Sequence, residues 1–196
     1  MLVLCSNGLT SDKLVTQLRM HTSGCTTAAL VVTADPEYKE QNYHVPRCIR
    51  ELEKLDLRVD VLDIDKNDPS ILLDYDVVEF IGGNPYYLLH SIRKKCATGI
   101  LHHISTDKIL IGWSAAAFVF GPSLELVNQF SPEMNFVGIQ DLTALGLTTI
   151  EVLPHYDRFL TKYANFEETC RSYETAHQTA VHRLNDGDGI FITPCK

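Results

Sequence analysis

Short apolar runs alternate with amphipathic segments along most of the chain. The apolar runs predict strands at about 2–6, 27–33, 58–64, 76–81, 108–111 and 146–153. The segments between them place apolar residues at helical spacing, which predicts helices at about 11–20, 43–55, 86–101, 115–119 and 159–174. Strands that alternate with helices usually form a mostly parallel sheet with helices on both faces. We therefore expect a three-layer α/β/α fold in a single domain spanning 1–196.

The last part of the chain has a different pattern. Two short apolar runs, 180–184 and 189–193, flank the turn-rich segment Asn185-Asp186-Gly187-Asp188. Two runs separated by such a segment are typical of a β-hairpin. The sequence thus predicts a C-terminal β-hairpin at the edge of the sheet.

One strand-to-helix junction carries candidate chemistry. The apolar run at 108–111 leads into Gly112-Trp113-Ser114, and a small-residue, helix-prone segment follows at once. This is the layout of a nucleophile elbow, in which a tight turn lifts a serine hydroxyl out of the sheet. Ala116 stands where the usual pattern has a second glycine. The alternative interpretation is an ordinary junction in which Ser114 caps the helix.

Two further loops follow predicted strands. Gly82 and Gly83 could let the backbone approach a ligand and donate N–H groups to it. His155 closes the strand at 146–153, where a general base for Ser114 could lie. Ligands bind at the carboxyl ends of strands in open α/β sheets, so we expect these loops to converge. The alternatives are a glycine turn without a ligand and a histidine with a structural role.

Together these pieces resemble the peptidase E (aspartyl dipeptidase) and cyanophycinase family of serine peptidases, which has a class I glutamine-amidotransferase-like fold. The resemblance implies Ser114 as nucleophile, His155 as base, and an oxyanion hole from the N–H groups of Gly83 and Ala115. Gly82 and Asn84 are candidate substrate-binding residues, and no metal or organic cofactor is implied. The matching pieces occur in order as Gly82-Gly83-Asn84, Gly112-Trp113-Ser114-Ala115, Gly121-Pro122, Pro154-His155-Tyr156 and Asp186-Gly187.

The sequence does not identify the acidic residue that would pair with His155. In the aspartyl dipeptidase branch an aspartate follows the nucleophile by fifteen residues, but that position here is Gln129, which cannot carry a negative charge. No basic residue is evidently placed to recognise an N-terminal aspartate, so we do not carry over that substrate preference. The nearby candidates for the acid are Glu125, Glu133, Asp141 and Asp157.

Composition and charge limit the partners and the compartment. The formal net charge is −8 and no large basic cluster occurs, which argues against nucleic acid and anionic membranes as partners. The six cysteines are scattered without C-x-x-C spacing, and neither a signal peptide nor a membrane-spanning segment is evident. We expect free thiols, a cytoplasmic location and a small peptide as the partner, and we leave a homodimer open.

The favoured function is a serine-type peptidase that hydrolyses short peptides through an acyl-enzyme on Ser114. An esterase is one alternative, because an ester needs less assistance than an amide. A non-catalytic protein that binds a small ligand or peptide on the same fold is another, and the missing acid supports it. Glutamine-amidotransferase chemistry is disfavoured, because it uses a cysteine at the elbow and none is there.

Overall fold

Six strands form the central sheet. The computed structural model describes residues 1–193, and within them the strand order is β3-β2-β4-β5-β1-β8. The first five of these strands pair in parallel, and β8 pairs antiparallel with β1. Their bounds are β1 Leu2–Cys5, β2 Thr27–Val31, β3 Arg58–Leu62, β4 Val77–Phe80, β5 Ile109–Trp113 and β8 Gly189–Ile192.

Helices cover both faces of this sheet. On one face α1 (Asp12–Arg19) and α2 (Val45–Glu53) pack against alternate strand residues such as Val3 and Leu30. On the other face α3 (Pro85–Lys94), α4 (Thr98–Asp107) and α5 (Ala115–Phe120) pack against the intervening residues, among them Leu4 and Val31. Strands that are buried on both faces read as continuous apolar runs. The predicted three-layer α/β/α fold is confirmed.

Two predicted helices are each divided in the structure. The segment 86–101 contains α3 and the start of α4, and the break between them contains Cys96, whose φ is 54°. The segment 159–174 contains α7 (Tyr156–Lys162) and α8 (Phe166–His177), separated at Asn165 with a φ of 57°. A residue in the left-handed region cannot continue a right-handed helix. The apolar spacing runs through both breaks, which is why periodicity alone predicted one helix in each case.

The two C-terminal strands do not pair with each other. The antiparallel edge strand is confirmed as β8, but its partner is β1. The other strand, β7 (Val181–Arg183), pairs in parallel with β6 (Glu151–Leu153) in a separate two-stranded sheet. The segment between β7 and β8 is not a hairpin turn, because the two strands belong to different sheets. It contacts the residue after β1 instead, where the Ser6 N–H donates to the Asp188 carbonyl at 3.0 Å. The predicted hairpin is therefore corrected to a connection between two sheets.

The segment between α5 and β6 is mostly irregular. It contains the short helix α6 (Glu125–Asn128) and an isolated antiparallel bridge between Ser123 and Thr143. No helix within residues 1–193 is long and apolar enough to cross a membrane. Cys195 lies outside the described residues, and the five described cysteines are free thiols, as predicted: Cys5, Cys25, Cys48, Cys96 and Cys170.

Candidate active site

Ser114 lies in a strained turn between β5 and α5. Its φ is 53° and its ψ is −113°, a conformation that a non-glycine residue rarely adopts. Its side chain makes no capping hydrogen bond to α5, which excludes the alternative in which Ser114 is an ordinary helix cap. Helix α5 packs closely against β5: a Cβ at Gly112 would lie 2.5 Å from the Phe120 ring. Ala116 is fully buried at this contact, so the fold accommodates its methyl group.

His155 and Asp186 extend a hydrogen-bonded chain from Ser114. The distance from Ser114 Oγ to His155 Nε2 is 3.0 Å, and the distance from His155 Nδ1 to Asp186 Oδ1 is 2.7 Å. Ser6 joins the backbone of His155 to the same carboxylate: its Oγ accepts from the His155 N–H at 2.8 Å and donates to Asp186 Oδ1 at 2.9 Å. The serine, imidazole and carboxylate are thus arranged in the order of a catalytic triad.

Asp186 is held in its charged form. Burial alone would raise its pKa, but hydrogen bonds from His155 and Ser6, together with the nearby charges of His155 and Arg158, lower the pKa below its ordinary value. The Arg158 guanidinium forms an ion pair with Asp186 Oδ2. A carboxylate at Nδ1 favours the neutral imidazole tautomer whose free lone pair is on Nε2. That lone pair faces the Ser114 hydroxyl.

Asp186 was not among the four nearby acids that the sequence offered as candidates. Glu125 pairs with His177 at 3.4 Å and Asp141 pairs with Arg93 at 3.1 Å. Gln129 is exposed at the end of α6, and Glu133 lies in the short 3₁₀ turn Pro132–Met134. Asp157 accepts the Asp186 backbone N–H, at 3.2 Å, and does not contact the imidazole of His155 by a hydrogen bond within residues 1–193. The predicted candidates are therefore corrected to Asp186, which the connection between β7 and β8 brings to the site. The Asp186-Gly187 turn was the available signal, although nothing in the sequence tied it to His155.

The loop after β4 that contains Gly82 and Gly83, here called the glycine loop, packs against Ser114. A Cβ at Gly82 would lie 2.9 Å from Ser114 Cβ, and a Cβ at Gly83 would lie 2.3 Å from the Ala34 carbonyl oxygen. Gly83 also has a φ of 153°, so both space and conformation require glycine there. Within residues 1–193 the Gly83 N–H has no hydrogen-bond partner. Ala115 is the first residue of α5, and its N–H has no carbonyl four residues earlier within the helix.

Asn84 has a structural role instead of the expected contact with substrate. Its Oδ1 caps α3 by accepting the Tyr87 N–H at 3.0 Å, and its Nδ2 donates to the Met134 carbonyl at 2.7 Å. The side chain is buried and lines neither of the two cavities at Ser114. Because its amide is already satisfied, the prediction that Asn84 binds substrate is corrected, whereas Gly82 does line the larger cavity.

Two cavities meet at Ser114, and Gly83, Ser114 and His155 line both of them. The larger has a volume of about 630 Å³ and is lined in part by Arg47 and Arg158, which sequence reasoning missed. The smaller has a volume of about 170 Å³, and Lys162 lies at its wall. Its apolar lining consists of Pro85, Ala115, Phe118, Val127, Met134, Phe159 and Tyr163. A substrate whose scissile bond lies at Ser114 can therefore extend into the larger cavity, which two arginines line, on one side and into the smaller, mostly apolar cavity on the other.

Among residues 1–193 no group of three or more His, Cys, Asp or Glu side chains is arranged to hold a metal ion. The chemistry that the arrangement can perform without one is nucleophilic attack by a serine, with an imidazole to move the proton.

Comparisons with family models, curated proteins and solved structures agree on one family. The model of peptidase family S51 matches residues 2–194. The uncharacterized peptidase Lmo0363 of Listeria monocytogenes is 27% identical over 161 residues, which are 79% of this chain and 76% of that protein. Peptidase E of Shewanella sp. strain ANA-3 is 30% identical over 107 residues, 53% of this chain and 44% of that protein, so the match spans less than half of that relative.

Solved structures share the whole fold. A crystal structure of a candidate peptidase E from Listeria monocytogenes EGD-e superposes with a TM-score of 0.75 at 25% identity and covers 97% of this chain and 93% of that chain. A peptidase from an acI-B1 Actinobacterium superposes with a TM-score of 0.70 at 15% identity and covers 96% of this chain and 81% of that chain, which supports the fold alone.

Proposed function

The chain belongs to peptidase family S51, and we propose that it is a serine-type peptidase that hydrolyses short peptides through an acyl-enzyme on Ser114. Family membership makes the chain a peptidase, a hydrolase. The observation that carries the serine mechanism is the chain of contacts from Ser114 Oγ to His155 Nε2 at 3.0 Å and from His155 Nδ1 to Asp186 at 2.7 Å.

Acylation begins at the strained turn. Ser114 Oγ attacks the carbonyl carbon of the scissile bond, and its proton passes to His155 Nε2. The Asp186 carboxylate stabilises the resulting imidazolium, while the N–H groups of Gly83 and Ala115 stabilise the negative charge on the carbonyl oxygen. The leaving amine then takes the proton from Nε2 and departs, which leaves the acyl group as an ester on Ser114.

Deacylation uses the same groups with water as the nucleophile. His155 Nε2 accepts a proton from water as the water oxygen attacks the ester carbon. The Ser114 oxygen leaves and takes that proton back, and the product departs as a carboxylic acid. Every proton is therefore returned, and no cofactor enters the cycle.

Cavity size and charge support a short peptide as the substrate. A volume of about 630 Å³ lies within the range of roughly 300–1,000 Å³ that is usual for small-molecule sites. Arg47 donates to the Asn7 carbonyl at 2.8 Å and to Glu51 at 3.1 Å, so much of its charge is already compensated. Arg158 forms an ion pair with Asp186 through one nitrogen, but it is largely exposed, and its remaining N–H groups favour a substrate carboxylate in this cavity.

The non-catalytic alternative loses its main support. It rested on the absence of an acid for His155, and Asp186 now occupies that place. The esterase alternative uses the same groups, and no contact among residues 1–193 favours it over peptide hydrolysis.

The test is covalent labelling of Ser114 by a fluorophosphonate, read by intact mass. We expect one adduct on wild type, none on Ser114→Ala, and labelling slowed roughly 10²–10⁴-fold in His155→Ala. The matched control is Ser105→Ala, because the Ser105 hydroxyl donates to the His102 carbonyl within its own helix, at 2.8 Å, and lines neither cavity. An adduct that persists in Ser114→Ala would overturn the mechanism, and wild type without any adduct would favour the ligand-binding alternative.

A further inference from the structure

A buried carboxyl that the mechanism does not use lies beside the strained turn. Glu79 is on β4, in the interior of the sheet, and is completely inaccessible to solvent. Its Oε1 accepts the indole N–H of Trp113 at 3.0 Å. Its Oε2 has no hydrogen-bond partner within residues 1–193. A polar group without full compensation is costly in a protein core, so its presence in a central strand requires a reason.

The partner of Glu79 is the residue immediately before Ser114. The Trp113 ring lies against the glycine loop so closely that a Cβ at Gly82 would be 2.5 Å from it. On the cavity side the Arg47 guanidinium lies 5.4 Å from the ring centroid, and the His44 ring meets it edge-on at 5.3 Å. The indole is thus a wall of the larger cavity, with the buried carboxyl holding its N–H.

We propose that Glu79 is a positioning residue for Ser114: by holding the Trp113 indole N–H, it fixes the ring that supports the glycine loop and the start of the turn. This inference rests on the proposed function, because the turn and the loop supply the nucleophile and one oxyanion donor. Glu79 touches neither of them, so it acts only through Trp113.

The surroundings of Glu79 determine which form of the carboxyl acts. Burial raises its pKa to about 8, and the nearby Glu51 also raises it, whereas the Trp113 hydrogen bond and Arg47 act in the opposite direction. The other titratable groups facing it are the Cys5 thiol on β1 and the Cys48 thiol on α2, whose own pKa values are raised by burial and by Glu79. At neutral pH the carboxyl is therefore neutral, and its carbonyl oxygen can accept the indole N–H without placing a charge in the core.

Trp113 is the only tryptophan in the sequence, so its fluorescence reports on this contact directly. The experiment compares Glu79→Leu, which removes the acceptor, with Glu79→Gln, which keeps a neutral one. The matched control is Glu151→Gln, a buried carboxyl that hydrogen-bonds Tyr173 at 2.9 Å and lines neither cavity at Ser114. Each variant is measured for Trp113 emission, for the rate of fluorophosphonate labelling and for retention of fold by circular dichroism.

We expect Glu79→Leu to shift the Trp113 emission and to slow labelling about tenfold, as the loss of one buried hydrogen bond would. Glu79→Gln should restore both quantities to within about threefold of wild type, because an amide oxygen also accepts the indole N–H. Glu151→Gln should match wild type. Wild-type emission and rate in Glu79→Leu would overturn the proposal, as would a rate in Glu79→Gln as low as in Glu79→Leu.

A second variant keeps the test decisive if Glu79→Leu does not fold. Trp113→Phe removes the donor instead of the acceptor and should slow labelling by a similar factor; labelling at the wild-type rate would overturn the proposal. Where both single variants fold, the double variant should be no slower than either, since the two changes remove one interaction. Wild type that is not labelled at all would overturn the proposed function, whereas equal labelling of wild type and Glu79→Leu would overturn only the role of Glu79.

Discussion

Two carboxyl groups near the strained turn, the partly buried Asp186 and the fully buried Glu79, are in opposite charge states. Asp186 receives hydrogen bonds from His155 and Ser6 and an ion pair from Arg158, and its pKa is lowered. Glu79 receives one hydrogen bond, from Trp113, and burial raises its pKa. The difference shows that depth and donors together decide whether a carboxyl is charged: Glu79 is fully buried with one donor, whereas Asp186 is only partly buried and has several. One carboxyl orients a base and the other holds a ring.

The largest effect is expected from neutralising Asp186. Asp186→Asn keeps the size of the side chain but removes the charge and favours the wrong imidazole tautomer, so the rate of labelling at Ser114 should fall by about 10⁴-fold. The measurement is the rate of adduct formation by intact mass. Asp157→Asn is the matched control, because Asp157 accepts only the backbone N–H of Asp186 at this site, and its rate should stay near wild type. Equal rates of labelling in the two variants would contradict the role of the charged Asp186 carboxylate.

Replacing the titratable Glu79 carboxyl by an amide should change stability in a way that depends on pH. Its pKa rises on folding from an ordinary value of 4.5 to about 8, so between these pH values the folded protein retains a proton that the unfolded chain has released. The free energy of unfolding from this group therefore falls as pH rises, by at most about 1.4 kcal/mol per pH unit. Glu79→Gln removes that dependence, so its stability relative to wild type should increase from pH 5 to pH 8 in urea unfolding.

The control for this prediction is Glu53→Gln, a change at an exposed glutamate of α2. Its stability relative to wild type should show no such increase with pH. If Glu79→Gln also shows none, Glu79 is not held neutral and the contrast with Asp186 fails.

The smallest effect is expected from the exposed side of Asp186. Arg158 pairs with Oδ2, but its own side chain is 62% exposed, so solvent screens the pair and its removal should cost at most about 1 kcal/mol. Asp186 has a lowered folded-state pKa, so the contribution is present at neutral pH and is lost as pH falls through that pKa. Arg158→Gln should therefore be less stable than wild type at pH 7 and equal to it in strong acid, as measured by thermal melts. A difference that persists unchanged in acid would assign the effect to packing.

The sheet and the pair of Ser114 and His155 were accessible from sequence because each follows from local pattern. Apolar runs indicate burial on both faces, and both residues lie within two positions of a strand's carboxyl end. Asp186 was not accessible, because its contact with Ser6 joins residues 180 positions apart and depends on β8 pairing with β1. Glu79 was read simply as part of an apolar strand, since only the fold shows that Trp113, 34 residues later, is its partner. The hydrogen bonds of the Asn84 side chain to the Tyr87 N–H and the Met134 carbonyl were not predictable either, because the second of them joins segments that only the fold brings together.

The central claim is that Ser114 hydrolyses peptide bonds, and the most direct measurement is amino-acid release from a library of dipeptides that pairs every standard residue with every other. Wild type and Ser114→Ala are compared at neutral pH, with Ser105→Ala as the control. We predict release by wild type and by Ser105→Ala for at least one dipeptide, with a loss to background in Ser114→Ala. Release by Ser114→Ala at the wild-type rate would contradict the account.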